Sequence, residues 1–387
     1  MATVDVAAVG NDLPALARIL VVNAGSSSLK LRVLDPDDEL VASADLPAPR
    51  GTTDAGAVAE AIRSLGPVDA VGHRIVHGGS QFASPVVLDA DVETRLRALS
   101  DLAPLHQPKS LAAVDAVKAV LPDVPAVACF DTAFHATMPA AATTYALPPE
   151  WRKRWDLRRF GFHGLSHAYA TRRVTELLGR APAGGWRIVT CHLGAGASLA
   201  AVLDGRSVDT TMGFTPLEGL VMATRSGSVD PGLVLWLEEH ARTPPAELAS
   251  TLEHRSGLLG LAGTADMRTI IDSAAAGEPD ATLALDVYLH RLRSGIASMA
   301  ASIGGIDALV FTGGVGERAP VVRSRAADGL DFLGVALDPT RNDDGAEDRE
   351  ITAPGSAVRT FVMVAREDLQ IAHEVRGVLS ARGPAGT

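Results

Sequence analysis

The first long apolar run, Arg18-Ile19-Leu20-Val21-Val22, is rich in aliphatic and β-branched side chains and reads as a buried strand. Leu31-Arg32-Val33-Leu34 alternates and reads as its partner. Between them lies Asn23-Ala24-Gly25-Ser26-Ser27-Ser28-Leu29-Lys30, a turn that gathers backbone N–H groups, hydroxyls and a lysine at one point. Such a turn suits an array of phosphate oxygens. It has neither the Walker A spacing nor a G-x-G-x-x-G spacing, and alone it fits a plain hairpin turn equally well. Displacing the sequence by 169 positions without a gap sets Arg18-Ile19 on Arg187-Ile188 and Gly25 on Gly194. The same displacement sets Val33-Leu34-Asp35 on Val202-Leu203-Asp204. The strand–glycine turn–strand unit is thus repeated, which predicts two similar lobes, each offering a polar turn to a shared cleft.

Helical patterns follow at residues 55–65, 90–101 and 109–120, with strands at 68–71 and 126–130. Beyond a break at Pro139 and Pro148-Pro149, helices are expected up to residue 178, over 231–241 and over 281–303. A buried strand at 308–312 feeds a glycine turn, Gly313-Gly314-Val315-Gly316, and residues 367–379 read as a closing helix. Strands alternating with helices imply an α/β architecture, in which ligands lie off strand ends.

The 47% hydrophobic and 21% charged content is ordinary for a soluble globular protein. A net charge of −11 argues against nucleic acid or an anionic membrane as partner, so an anion site must concentrate positive charge locally. Cys129 and Cys191 are the whole cysteine complement, which leaves no disulfide framework and fits a reducing cytoplasm. The first thirteen residues carry Asp5 and Asp12 but no basic residue, unlike a signal peptide. No apolar run approaches the roughly 18 residues of a membrane span.

Asn23, Arg74, Asp131 and His192 each end a predicted strand. Arg74 lies within Gly72-His73-Arg74-Ile75-Val76-His77-Gly78-Gly79, and a second arginine lies in Thr224-Arg225-Ser226-Gly227. Planar guanidinium groups grip phosphate or carboxylate bidentately and keep their charge. Two of them in glycine-rich settings suit a reaction between two anions, although each alone equally fits a solvated loop arginine. His163 and His192 sit among glycines and apolar residues, where a satisfied core histidine is the commoner case. No zinc-ligand spacing is present. Asp131 could hold Mg²⁺, orient an arginine or cap the next turn. The glycines after residue 312 would let a nucleotide approach the backbone closely.

Taken together, these segments resemble the acetate kinase family, within the sugar kinase/actin/Hsp70 superfamily. The resemblance runs over residues 18–376 and is most specific in Thr210-Thr211-Met212-Gly213-Phe214-Thr215-Pro216-Leu217-Glu218-Gly219-Leu220. It implies a two-lobed, duplicated RNase H-like α/β fold with an interlobe active-site cleft. The lobes would span 17–138 and 139–367, with the nucleotide-binding side in the second and residues 368–387 returning to the first. It also implies a cytoplasmic homodimer that transfers the γ-phosphoryl of ATP to acetate by direct in-line displacement, with Mg²⁺ or Mn²⁺ as cofactor.

By motif position, Asn23 and Glu367 match the magnesium-associated residues, and Arg74 and Arg225 the arginines that clamp substrate and transferring phosphoryl. Asp131 matches the catalytic acidic residue, and His163 and His192 the histidines that contact the phosphoryl in flight. Val76, Leu105, Phe162 and Pro216 match the acyl pocket. Ser26, Ser28, Lys30, His192, Gly194 and Gly196 match the phosphate turns. Asp266, Arg268, Gly313, Gly314 and Gly316 match the nucleotide side. The chain departs from the family at Ala195, Arg318 and Arg366, where asparagine is usual, and at Ser228, where aspartate is. It also departs at Gln107 and Lys109. These changes bear on nucleotide preference and leave the arginines, Asp131 and Glu367 in place. Two alternatives remain: a propionate or butyrate kinase with the same machinery, and an ATP-gated conformational protein, which would need neither acyl pocket nor paired arginines.

Overall fold

The computed structural model describes residues 18–25, 28–47, 54–102, 107–343, 345 and 347–381. Two six-stranded mixed sheets organise the chain. The first is built from β1 (Ile19–Ala24), β2 (Ser28–Leu34), β3 (Leu40–Pro47), β4 (Ala70–Ile75), β5 (Val86–Val87) and β6 (Ala126–Phe130). The second is built from β7 (Arg187–Leu193), β8 (Ala197–Leu203), β9 (Arg206–Thr210), β10 (Ala308–Thr312), β11 (Arg349–Glu350) and β12 (Arg359–Val362). Strand order is β3-β2-β1-β4-β6-β5 in the first and, read in the same direction, β9-β8-β7-β10-β12-β11 in the second. Each sheet therefore repeats one topology: an antiparallel meander followed by parallel central strands and a short antiparallel edge.

The repeat is legible in individual contacts. Asp69 accepts a hydrogen bond from the Arg18 backbone N–H at 2.7 Å, and Asp307 accepts one from the Arg187 N–H at 2.9 Å. The displacement of 169 positions thus holds along β1 and β7. It fails after the turn. Ile19 pairs with Leu34, whereas its counterpart Ile188 pairs with Val202, so Leu34 corresponds to Val202 and the second turn is one residue shorter. A one-residue slip exchanges the faces of a strand, so the gapless superposition of Val33 on Val202 is corrected by this register.

The strand expected at 68–71 lies instead at Ala70–Ile75, so Arg74 belongs to the ladder and not to the turn beyond it. Its apolar pattern is broken by Gly72, His73 and Arg74, yet pairing with β1 on one side and β6 on the other holds the backbone extended. The expected glycine turn after β10 is a short helix, Gly313–Arg318. The helix expected over 90–101 ends at Ala98 and continues as a 3₁₀ turn, and the next begins at Gln107.

The central β10 is buried along its whole length, as the uninterrupted run Ala-Leu-Val-Phe-Thr requires of a strand covered on both faces. Helix Pro279–Ser302 covers one face of the second sheet, and helix Gly164–Leu178 contributes Ala170, Val174 and Leu178 to the other. The C-terminal helix Glu367–Ala381 returns to the first sheet, where Ile371, Ala372 and Val375 pack with Ile19, Val21 and Ala70. Complete burial of an aliphatic side chain contributes about 1.5–3 kcal/mol, enough for these residues to pin the helix and the Glu367 at its first turn.

Candidate active site

Parallel strands β1, β4 and β6 run in one direction, so Asn23, Arg74 and Asp131 emerge together at one edge. The Arg74 Nη2 donates to Asp131 Oδ2 at 2.6 Å, and its Nε lies 3.1 Å from both Asp131 oxygens. Its Nη1 donates to the Asn23 side-chain oxygen at 3.1 Å, and the Asn23 amide donates to Glu367 Oε2 at 2.9 Å. Burial works against the Arg74 charge, but Asp131 and Glu367 outweigh it and hold the guanidinium above its ordinary pKa. Burial pushes Glu367 up, yet Arg74 and His192 prevail and keep it ionised more strongly than a free glutamate. This chain of four groups is a charge-assisted network on a single wall.

The second lobe supplies the facing wall. His163 occupies a left-handed backbone conformation, φ +57°, immediately before helix Gly164–Leu178. The helix begins with Gly164, whose N–H donates to the Asp131 carbonyl at 2.8 Å. A Cβ there would stand 2.2 Å from that carbonyl oxygen, so glycine is the residue that lets the two walls meet. The His163 and His192 rings lie 4.4 Å apart. Ser198 Oγ sits 2.9 Å from His163 Nδ1 and Ser166 Oγ 2.8 Å from His192 Nδ1, which anchors each ring through one nitrogen. Burial, reinforced by the Arg74 charge, places the His163 pKa well below 6.5, so its ring is neutral. Burial likewise lowers His192.

Arg225 completes the site. Its Nη1 lies 3.3 Å from the Pro216 carbonyl, and its Nε 3.5 Å from Glu253. Burial lowers its pKa from the ordinary arginine value, which remains far above neutrality. Gly196 in the β7–β8 turn faces one guanidinium and one imidazole: a Cβ there would meet His163 at 3.0 Å and Arg225 Nη1 at 3.5 Å.

One cavity of about 360 Å³ collects these groups. Arg74, Asp131, His163, His192, Arg225 and Glu367 all line it, with Lys30 and Gly196 at the turns and Val76, Phe162 and Pro216 as the apolar wall. A second cavity, about 290 Å³, takes in Gly194, Asp266, Arg268 and Gly314, together with Tyr288 and Arg318. Ala195 lines both, so the two spaces meet at that small side chain. Gly313 and Gly316 are buried against β7 and β10 instead of lining either cavity. Ser28 closes the first turn through its carbonyl, which accepts from Gly25 N–H at 2.8 Å. Ser26 and Leu105 lie outside the described residues.

Sequence reasoning gave no role to Ser166, Ser198 or Glu253, nor to His167, whose Nε2 shares the Ser198 hydroxyl at 2.8 Å. Ser166 stands three residues after His163, but its partner is His192, 26 positions further on, so spacing gave no signal of the contact. Ser198 and Glu253 had none either. Lys109 was visible only as a departure from the family pattern, and it lines the same cavity as Arg74 and Arg225.

The Acetokinase family model matches residues 55–373. An acetate kinase of Dictyoglomus thermophilum is 41% identical over 399 aligned positions, covering 94% of this chain and all of that protein. This chain belongs to the acetokinase family. Its fold agrees with the crystal structure of Porphyromonas gingivalis acetate kinase at a TM-score of 0.86 and 35% identity, over 94% of this chain and 100% of that one. A propionate kinase from Francisella tularensis gives 0.87 at 33% identity, with the same coverage of both chains. The family and the two-lobed α/β fold expected from the motifs are borne out. Acetokinase membership brings ATP use with it. Among the described residues, no helix is long and apolar enough to cross a membrane.

Proposed function

We propose that this acetokinase transfers the γ-phosphoryl group of ATP to acetate, giving acetyl phosphate and ADP, and runs in reverse to make ATP. The observation that carries the reading is the convergence of Arg74, Arg225, His163 and His192 on one cavity with an apolar wall. A carboxylate is already ionised at neutral pH and needs no base. Its oxygen forms the new bond to phosphorus while the β,γ-bridging oxygen leaves with ADP, so no proton changes hands. What must be overcome is repulsion between two anions. Fixed guanidinium groups on opposite walls answer it, and neutral imidazoles donate to the equatorial oxygens of a metaphosphate-like transition state. Asp131 holds Arg74 in its in-line position through the bidentate contact.

The residues present fit Mg²⁺, or Mn²⁺. Such an ion keeps several waters and takes one or two carboxylates plus phosphate oxygens; Glu367 lines the cavity and would offer its carboxylate, held in place by the Asn23 amide that donates to it. When bound, the ion neutralises charge on the β- and γ-phosphates. Gly194, Gly314, Asp266 and Arg268 are assigned to the nucleotide, and Val76, Phe162 and Pro216 to the acetate methyl. A pocket of this kind discriminates one methylene by only about 1–3 kcal/mol. The likeness to a propionate kinase therefore keeps propionate as the second reading.

Hydroxamate formation with ATP, Mg²⁺ and a series of acids tests both readings. Preference for acetate supports the first, preference for propionate or butyrate the second, and no hydroxamate with any acid refutes the transfer. A cytoplasmic homodimer belongs to the same proposal. Leu233, Leu235 and Trp236 are exposed on helix Pro231–His240 and offer a face for it, and light scattering of the purified protein checks the mass.

A further inference from the structure

We infer that Glu374 is a positioning residue for the Arg74–Asp131 pair, its uncharged carboxyl group keeping a further negative charge out of the wall behind Asp131. Glu374 stands seven residues after Glu367 on the C-terminal helix, two turns along the same face. That face lies against the first sheet, where Cys129 and Asp131 are two residues apart and so share one side of β6 and its extension. The Cys129 thiol is buried and packs against this helix, 4.0 Å from the Ile371 carbonyl, with Glu374 as its side-chain neighbour.

The surroundings suit a neutral acid. Gln370 Nε2 reaches Glu374 Oε1 at 3.2 Å, but Glu374 Oε2 and Gln370 Oε1 are both buried without a hydrogen-bond partner. With Gln370 donating to Oε1, a proton on the unpartnered Oε2 leaves this buried group without charge. A carboxylate there would have only the Gln370 amide and the Cys129 thiol as donors and no cation.

Among the described residues, no cation acts on the Glu374 carboxyl group. β1, β2 and β5 present Ile19, Val21, Leu34 and Val87, and helix Gly164–Leu178 presents Leu165. The β2 cations lie elsewhere, Arg32 paired with Asp45 and Lys30 acting on Glu367 at the start of the C-terminal helix. β4 presents Arg74, which is committed to Asp131, and β6 presents Cys129 and Asp131 itself. Arg172 pairs with Glu176 at 3.7 Å and faces His373, while Arg376 is held by Asp38 and by the Asp35 carbonyl. Burial outweighs the hydrogen bonds from Gln370 and Cys129 and, with a further push from the Asp131 charge, raises the Glu374 pKa to about 7. The group therefore sits near its transition under ordinary conditions. Ionised, it sets a negative charge behind Asp131, draws on the same Arg74 that must receive two substrate anions, and weakens their binding. Neutral, it leaves the balance of Arg74, Asp131 and Glu367 undisturbed.

The kinetic consequence rests on the phosphoryl-transfer reading, whereas the protonation itself does not. The test combines carboxyl ¹³C NMR titration of the full-length protein with pH profiles of kcat and KM for acetate, for wild type, Glu374→Gln and Glu374→Asp. We expect one carboxyl resonance to titrate near neutrality in wild type and to be missing from Glu374→Gln. Across that transition kcat/KM for acetate should fall about threefold to tenfold in wild type, carried mainly by KM. Glu374→Gln should retain its pH 6 value on the alkaline side, and Glu374→Asp should restore a falling limb. An unchanged alkaline limb in Glu374→Gln, an equal loss at every pH in that variant, or no carboxyl titrating near neutrality overturns the inference. Absence of acetate turnover in wild type, with the resonance still titrating, overturns the functional reading and the kinetic half of this one while the protonation stands.

Discussion

The two sheets share a strand order, yet their equivalent strand ends carry opposite chemistry. Where the first sheet ends in Asn23, Arg74 and Asp131, the register of the second places His192, Thr312 and Ala365. The first set is polar or charged and tied into one network. The second is uncharged, and the buried Thr312 hydroxyl has no hydrogen-bond partner. Duplication supplied the frame, and divergence at three strand ends divided the work. One sheet ends in a charged network, and the other ends in an imidazole beside a glycine turn, with Arg225 added from outside the strands.

The sharpest way to break this comparison is to remove a guanidinium group from either wall. Arg74→Ala should lower kcat/KM by about 10³-fold, and Arg225→Ala by a similar factor, with near-UV circular dichroism showing both variants folded. Near-normal turnover in either would refute its assigned role. A smaller effect should follow from filling the second wall. The methyl of Gly196→Ala meets His163 at 3.0 Å, and a displacement of that size should cost about 10–100-fold in kcat. Serine substitutions come next. Ser198→Ala or Ser166→Ala frees one imidazole and should reduce kcat roughly tenfold, with histidine ¹⁵N spectra showing mixed tautomers at the released ring.

Stability should shift less, and with pH. The raised Glu374 pKa means its stabilising contribution is full below its ordinary value near 4.5 and is lost as pH rises through about 7. Glu374→Gln should therefore melt a few degrees above wild type at pH 8 and level with it near pH 4.5. The smallest effect is expected at the counterpart of Arg74. Thr312→Val removes a buried hydroxyl that has no partner, so activity should stay within about twofold and the melting temperature should hold or rise.

Much of this molecule was legible in the chain itself. The run Ala308 to Thr312 announced a central strand, and the Gly25 and Gly194 turns announced duplication, because burial on two faces and a tight reversal each demand particular residue types. β4 was harder to place. Gly72, His73 and Arg74 look like a loop, and only pairing on both sides makes them a strand. The slip between Val33 and Val202 was equally hidden, since glycine turns one residue apart in length have similar compositions.

The sequence alone determined the repeated α/β frame, the family, and the presence of arginines, histidines and an acidic residue at element ends. Those features follow from local rules, namely side-chain periodicity and the backbone freedom of glycine. Only the tertiary structure decided that Ser166 and Ser198 hold the imidazoles, that Glu253 faces Arg225, and that Glu374 lies without a cation behind Asp131. Those relations join residues far apart in the chain. They exist because sheet register and helix docking bring them together, and the shifts in their charge come from burial, which no short stretch of sequence can specify.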